Sequence, residues 1–243
     1  MLDGNAGAQL KIAAFIDFDG TITFEDTTDA ILERFADERW HDIEREWIAG
    51  RIGSRECLSR QIDLVRAFPE EIDDFAHAAE FDETFPEFVA FCRQHNIDLN
   101  VVSDGFDRVA RTVLAGAGLA DVGIISNHLE WLGADRWRLG FPYSRGDCQS
   151  SAGNCKCSTL TGRGETLSVL IGDGRSDICA SGIADVVLAR DSLAVHCRSA
   201  NRRFSQFTNF ASVIGLFEEL IEVHAPHHAA TSALEMPVYA QRA

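Results

Sequence analysis

The sequence predicts an α/β fold: a parallel sheet flanked by helices, with a helical cap inserted after the first strand. Three observations carry this expectation. Short apolar runs recur, and three of them end in acidic or hydroxyl residues: Ile12 to Ile16 before Asp17, Ile97 to Val102 before Ser103, and Leu167 to Ile171 before Gly172-Asp173. Runs of this kind read as strands buried on both faces, as in parallel sheets. Helix-like segments lie between them: Phe85 to His95, Phe106 to Ala117 and Ser176 to Gly182. Strand alternating with helix gives parallel crossovers. Finally, 83 residues separate Asp19 from Ser103, far more than one crossover needs.

Taken in order, Ile12 to Ile16 is the first strand, closed by Gly20. Thr28 to Phe68 then carries apolar residues at helical spacing: Ile31, Leu32 and Phe35; Ile43, Trp47 and Ile48; Leu58, Ile62 and Val65. Pro69 breaks the pattern, and Glu70 to Ala79 begins another short helix. Residues 24–82 are therefore read as the cap, with Trp40 and Trp47 in its core. Residues 10–23 and 83–224 are read as the catalytic core. Ala184 to Ala189 and Val122 to Ser126 supply further strands. His128 to Phe141 reads as a hairpin, with Trp131 and Trp137 flanking Gly133-Ala134-Asp135. Ser144 to Ser158 is a polar loop with three cysteines, and Ala211 to His224 is a closing helix. Residues 225–243, which include His227-His228, lack periodicity and read as a loose tail.

Composition narrows the function. The chain has 243 residues, 46% of them hydrophobic and 25% charged, enough for a sizeable core without disulfide or metal staples. The net charge of −16 disfavours nucleic acid and anionic membrane as partners. No apolar run approaches the ~18 residues of a membrane helix, and the opening MLDGNAGAQLK lacks the basic start of a signal peptide. A cytoplasmic protein, monomer or homodimer, with reduced cysteines is expected.

Sites in parallel sheets lie at the carboxyl ends of the strands. Asp17 and Asp19 share one side of the first strand's end, and Asp173 and Asp177 lie one helical turn apart at another. Four converging carboxylates repel each other, and a divalent cation relieves this. An all-oxygen ligand set favours Mg²⁺. The chain contains two lysines, Lys11 and Lys156. Lys156 lies between the second and third of these strand ends, where a compact ammonium suits a phosphate oxygen and a carboxylate together; Arg163 is the alternative cation. These groups fit phosphoryl transfer. One carboxylate attacks phosphorus and a second protonates the leaving alkoxide. Lysine and Mg²⁺ neutralise the oxygens, and Ser103 with the backbone of Asp104 and Gly105 binds them.

DFDGT at 17–21, Ser103 after a strand, Lys156 and GDGRSD at 172–177 together resemble the haloacid dehalogenase superfamily of phosphatases, over about residues 10–224. The resemblance implies a Rossmann-like core, with Asp17 as nucleophile and Asp19 as general acid and base. It implies Mg²⁺ on Asp17, the Asp19 carbonyl and Asp173, supported by Asp177. Ser103 and Lys156 would bind the phosphoryl group of a small phosphorylated metabolite. Asp19 favours a phosphatase over a dehalogenase.

Within the superfamily the chain is most similar to the phosphoserine-phosphatase-like branch. Asp26 stands where that branch places a substrate-facing acid, though it can equally cap the first cap helix. Gln61 occupies the position of a carboxylate-reading Arg, and Ser176 replaces an Asn; both weigh against phosphoserine. Ser126-Asn127 followed by Cys148…Cys155-Lys156 is similar to two relatives. One acts on 2-hydroxy-3-keto-5-methylthiopentenyl-1-phosphate, the other on phosphoethanolamine or phosphocholine. Cys148, Cys155 and Cys157 could be free thiols, a disulfide with one thiol, or part of a Zn²⁺ site. A catalytically silent protein that binds a phosphorylated metabolite is the reading from another class.

Overall fold

A computed structural model describes residues 11–161 and 164–224. Arg163, the histidine pair at 227–228 and the expected tail lie outside the described residues. The strands are β1 (Lys11–Ile16), β2 (Asp98–Phe106), β3 (Gly123–Gly133), β4 (Arg136–Gly140), β5 (Thr166–Gly172), β6 (Val186–Ala189) and β7 (Ser205–Gln206). They form one sheet in the order β4-β3-β2-β1-β5-β6-β7. Every pairing is parallel except β3 with β4.

β1 sits at the centre because its five residues Ile12 to Ile16 are all buried. Side chains alternate across a strand. Accordingly Ile12, Ala14 and Ile16 enter one apolar layer, and Ala13 and Phe15 the other. The first layer includes α5 (Phe85–Gln94), α6 (Asp107–Gly116) and α10 (Phe210–His224). Phe85 and Phe88 of α5 meet Phe210 and Phe217 of α10, with ring centroids 4.7 Å apart for Phe85–Phe210 and 5.2 Å for Phe88–Phe217. Each such ring contributes roughly 1.5–3 kcal/mol by burial. The second layer takes α7 (Lys156–Leu160), α8 (Ile178–Ser181) and α9 (Asp191–Ser199).

Four helices lie between β1 and α5: α1 (Thr27–Phe35), α2 (Trp40–Ile48), α3 (Ser54–Ile62) and α4 (Pro69–Ala78). An antiparallel bridge between Thr23 and Phe81 brings the two ends of this stretch together. The Asp26 carboxylate caps α1 by accepting from the Asp29 N–H at 3.0 Å. Pro69 does not break a helix; it starts α4, since a first-turn residue needs no N–H donor. α4 is fastened to the core. Arg108 of α6 donates twice to Asp73 at 2.7 and 2.6 Å, and the Trp137 indole donates to the Ala67 carbonyl at 2.9 Å. Midway along the helical stretch, at the start of α3, Ser54 donates to Asp104 at 2.7 Å and the Arg55 N–H to the Ser151 carbonyl at 3.1 Å.

Three expectations need correction. The strand at 122–126 and the first arm of the hairpin are one continuous strand, β3, because Asn127 still pairs with Phe106 of β2 while the next residue, His128, pairs with Gly140 of β4. Lys156 does not lie in an irregular loop but opens α7. The helix α9 and the short strand β7 were not expected at all. No helix among the described residues is long and apolar enough to cross a membrane.

Candidate active site

Ends of β1, β2 and β5 meet at one edge of the sheet, and each delivers one of the expected groups. Asp17 follows β1 and is 5% exposed. Its N–H continues the ladder onto the Ile171 carbonyl at 2.9 Å, so the carboxylate is placed by sheet pairing. Asp17 Oδ1 accepts from the Phe18 N–H at 2.8 Å, and Oδ2 lies 2.7 Å from Lys156 Nζ. Lys156 also donates to Asp177 Oδ1 at 2.7 Å and to Ser176 Oγ at 3.0 Å. All three ammonium hydrogens therefore have acceptors. Burial alone would depress the lysine, but the carboxylates of Asp17 and Asp177 outweigh it and raise its pKa.

Three glycines make the packing of the acids possible. Gly20, at φ +69°, is in the left-handed region that favours glycine, and a Cβ there would stand 2.6 Å from Asp173 Oδ2. A Cβ on Gly105 would stand 2.4 Å from Asp19 Oδ2, and one on Gly172 would stand 2.4 Å from Asp177 Oδ2. Each acid thus rests against bare backbone, which no larger residue allows without displacing it.

The Asp19 carboxylate bonds to the far end of the turn and to β2. Its Oδ1 accepts from the N–H and hydroxyl of Thr27, and Ser103 Oγ is 3.3 Å from Oδ2. Burial, then the nearby charge of Asp26, pushes its pKa up to about 8, against the hydrogen bonds from Thr27. Ser103 also accepts the Gly105 N–H at 2.8 Å.

Asp17, Asp173 and Asp177 present carboxylate oxygens all within 4.8 Å of one another. The Asp19 carboxylate is not part of this set. Burial raises Asp173 and Asp177, and the charge of Asp17 adds to both. Thr21 donates to Asp173 Oδ1 at 2.6 Å. Oxygen-only donors, buried and mutually repelling, fit a hard divalent cation.

The Asp104 carboxylate faces the cleft but is engaged with protein donors: Ser54 Oγ, the Asn154 N–H at 2.7 Å and Asn127 Nδ2 at 3.2 Å. Asn154 further donates to the Ser103 and Ile125 carbonyls, and Asn127 to the Asp104 carbonyl. Asn154 ties the end of β2 to the turn that leads into α7 and Lys156, and Asn127 of β3 holds the same strand end from the other side. The sequence gives Asn127 no role of its own, and the one signal for Asn154 is its place two residues before Lys156. Arg190 has no such signal; it donates to the Gly20 and Thr21 carbonyls and braces the turn after Asp19.

A cleft of about 260 Å³ opens over these groups, with α1, α2 and α3 as its far wall. Asp26 caps α1 and also lines this cleft. Trp40 is in the core as expected, but Trp47 is not: it is half-buried, lines the cleft and lies under the Arg175 guanidinium, 5.0 Å from its ring centroid. Gln61 is 2% exposed and donates to Glu44 Oε2 at 2.9 Å. All seven cysteines are free thiols. Among the described residues, the acidic trio is the one set of three or more His, Cys, Asp or Glu gathered for a metal.

Comparison with known proteins gives concordant findings. The family model of haloacid dehalogenase-like hydrolases matches residues 14–181. The chain is similar to the 2-hydroxy-3-keto-5-methylthiopentenyl-1-phosphate phosphatase of Geobacillus thermodenitrificans, 34% identical over 215 residues, covering 86% of this chain and 97% of that one. The Brevibacillus brevis enzyme of the same name is 32% identical over 216 residues, covering 86% and 96%. Among solved structures, a phospho-aspartyl intermediate analogue of phosphoserine phosphatase superposes with a TM-score of 0.63 at 19% identity, covering 86% and 99%. A substrate-bound phosphoserine phosphatase gives 0.64 at 19%, covering 85% and 98%.

Proposed function

Because the chain belongs to the haloacid dehalogenase-like hydrolases and is a phosphatase, we propose that it hydrolyses a small phosphomonoester in two steps through Asp17 and Asp19. Residues 10–23 and 83–224 act as the catalytic core and 24–82 as a cap. In the first step an Asp17 oxygen attacks phosphorus, the ester P–O bond breaks, and the leaving alkoxide takes the proton of Asp19. In the second, the Asp19 carboxylate takes a proton from water, whose oxygen displaces Asp17 and releases inorganic phosphate. The observation that carries this reading is the division of labour between the two acids. Asp17 is ion-paired to Lys156 at 2.7 Å, whereas Asp19 faces the neutral groups of Thr27 and Ser103, and burial pushes its carboxyl up to about 8.

Lys156, Ser103 and the backbone of Asp104 and Gly105 stabilise the phosphoryl oxygens. Asp17, Asp173 and the Asp19 carbonyl would hold Mg²⁺ with Asp177 behind them, and the bound ion would offset charge on those oxygens.

Relatives support a metabolite such as 2-hydroxy-3-keto-5-methylthiopentenyl-1-phosphate, and the resemblance of the cysteine loop supports either that type or a phosphoethanolamine or phosphocholine type. Phosphoserine is opposed by Gln61, whose amide is engaged with Glu44, so that position offers no guanidinium to a carboxylate. Phosphate release from a panel of these esters, with Mg²⁺ and with EDTA, tests the reading. Metal-dependent release that disappears in Asp17→Asn is expected. A variant that keeps most of its activity removes Asp17 as nucleophile, and tight binding without release favours the silent binding protein.

A further inference from the structure

Among the described residues, five buried polar side-chain atoms lack a hydrogen-bond partner: Thr28 Oγ1, Asn100 Nδ2, Asn127 Oδ1, Asn154 Oδ1 and Arg202 Nε. Of these five residues, only Thr28 lines the cleft over the acids, and it is 7% exposed. A buried hydroxyl without a partner costs stability. One kept beside the reacting groups calls for a partner that arrives from the cleft.

The first turn of α1 brings two hydroxyls to Asp19. Thr27 is engaged: its N–H and its hydroxyl donate to Asp19 Oδ1 at 2.9 and 2.5 Å. Thr28 is not. Its hydroxyl lies over the bare backbone of Gly105, where a Cβ would stand 2.4 Å from Asp19 Oδ2, 2.9 Å from Thr28 Oγ1 and 3.1 Å from Ser103 Oγ. Three oxygens thus gather around one point. Ser103 is engaged there, accepting the Gly105 N–H at 2.8 Å and standing 3.3 Å from Asp19 Oδ2. Asp19 Oδ2 and the Thr28 hydroxyl are not bonded to each other, yet both lie close enough for one water to touch the two. Asp17, which would carry the phosphoryl group, lines the same cleft.

We propose that Thr28 positions the water of the second step: its hydroxyl oxygen accepts one hydrogen of the water while Asp19 Oδ2 takes the other. This deepens the two-step phosphatase reading and rests on it. The step balances. One water proton passes to the Asp19 carboxylate, and the water oxygen bonds to phosphorus. The bond from phosphorus to Asp17 breaks, its electron pair returns to that carboxylate, and Thr28 keeps its own proton. A water with both hydrogens engaged turns its lone pairs to the opposite side, toward phosphorus. In the first step the ester oxygen occupies this place, and it carries a carbon where the water has its second hydrogen. Thr28 therefore has a hydrogen to accept in the second step alone.

The test uses Thr28→Val, which keeps the shape and removes the hydroxyl, and Thr28→Ser, which keeps the hydroxyl. The substrate is p-nitrophenyl phosphate on the metal-loaded enzyme. Single-turnover release of p-nitrophenolate reads the first step, and decay of acid-quenched, phosphorus-labelled enzyme reads the second. In Thr28→Val, release should stay within about twofold of wild type while decay slows about tenfold, the scale of one lost hydrogen bond. In a fixed methanol–water mixture, the ratio of methyl phosphate to inorganic phosphate should rise in Thr28→Val, since methanol carries a methyl where water has its second hydrogen. Thr28→Ser should behave as wild type in all three. Without substrate, Thr28→Val should melt at the wild-type temperature or above, because the hydroxyl it removes has no partner in the resting protein. A lower Tm shows a structural role and overturns the proposal. So does a loss shared equally by the two steps, a product ratio that does not rise, or a Thr28→Ser that behaves as the valine variant. Absence of both labelled enzyme and p-nitrophenyl phosphate turnover in wild type would instead defeat the two-step reading on which the proposal stands.

Discussion

The two ends of the cleft are built on opposite principles. At the phosphoryl end, three parallel strand ends place Asp17, Ser103 and Asp173, three of the acids (Asp19, Asp173 and Asp177) pack on glycines, and the one ammonium has all its hydrogens engaged. At the helical end, among the described residues, the Asp29 carboxylate has no ion-pair partner and Glu44 accepts from the neutral groups of Gln61 and Cys57. The comparison shows where fixed geometry is required. Charge transfer at phosphorus needs donors already in place, whereas reading a leaving group needs side chains that can adapt.

The largest expected effect lies at the fixed end. Lys156→Met should lower kcat/KM by about 10²–10³-fold, the scale of one preorganised electrostatic contact. It should also destabilise the protein, by about 3–5 kcal/mol in urea, because Asp17 and Asp177 stay buried without their cation. Near-wild-type turnover in a folded variant would remove the lysine from the mechanism and the contrast with it. Asp19 gives the next effect. With its pKa near 8, the acid is protonated below that pH and loses its proton above it. Single-turnover release of the alcohol should therefore fall about tenfold per pH unit above about 8. If the same limb persists in Asp19→Asn, it belongs to another group. The smallest effect belongs to the adaptable end. Trp47→Ala should change KM for a good substrate by a few-fold and leave kcat nearly unchanged, since an exposed cation–π contact is worth about 0.5–1 kcal/mol. A large loss of kcat would show that this end, too, is preorganised.

The same contrast governs what could be read from sequence. Asp17, Asp19, Ser103 and Asp173 were legible because each stands within three residues of the end of an apolar run, and a strand buried on both faces announces its own end. Lys156 was found by its rarity, but its helix was not, since five residues are too few to show a period. Asn127, Asn154 and Arg190 act by bonding to backbone carbonyls of distant segments, which leaves no local pattern. Trp47 was misplaced because helical spacing groups it with Ile43, which is buried; half of an amphipathic helix's apolar stripe can face a cleft as well as a core.

The uneven fastening of the helical stretch has a mechanical consequence. α4 is pinned to the sheet layer by the paired Arg108–Asp73 bonds and the Trp137 indole. The α2–α3 tip touches the opposite side through Ser54, the Arg55 amide and the stacked Arg175. Local opening follows the weaker fastening, so the α2–α3 tip would separate before α4; Trp47, which with Ser54 and Arg175 lines both the cleft and an adjoining hollow of about 640 Å³, stands at that seam.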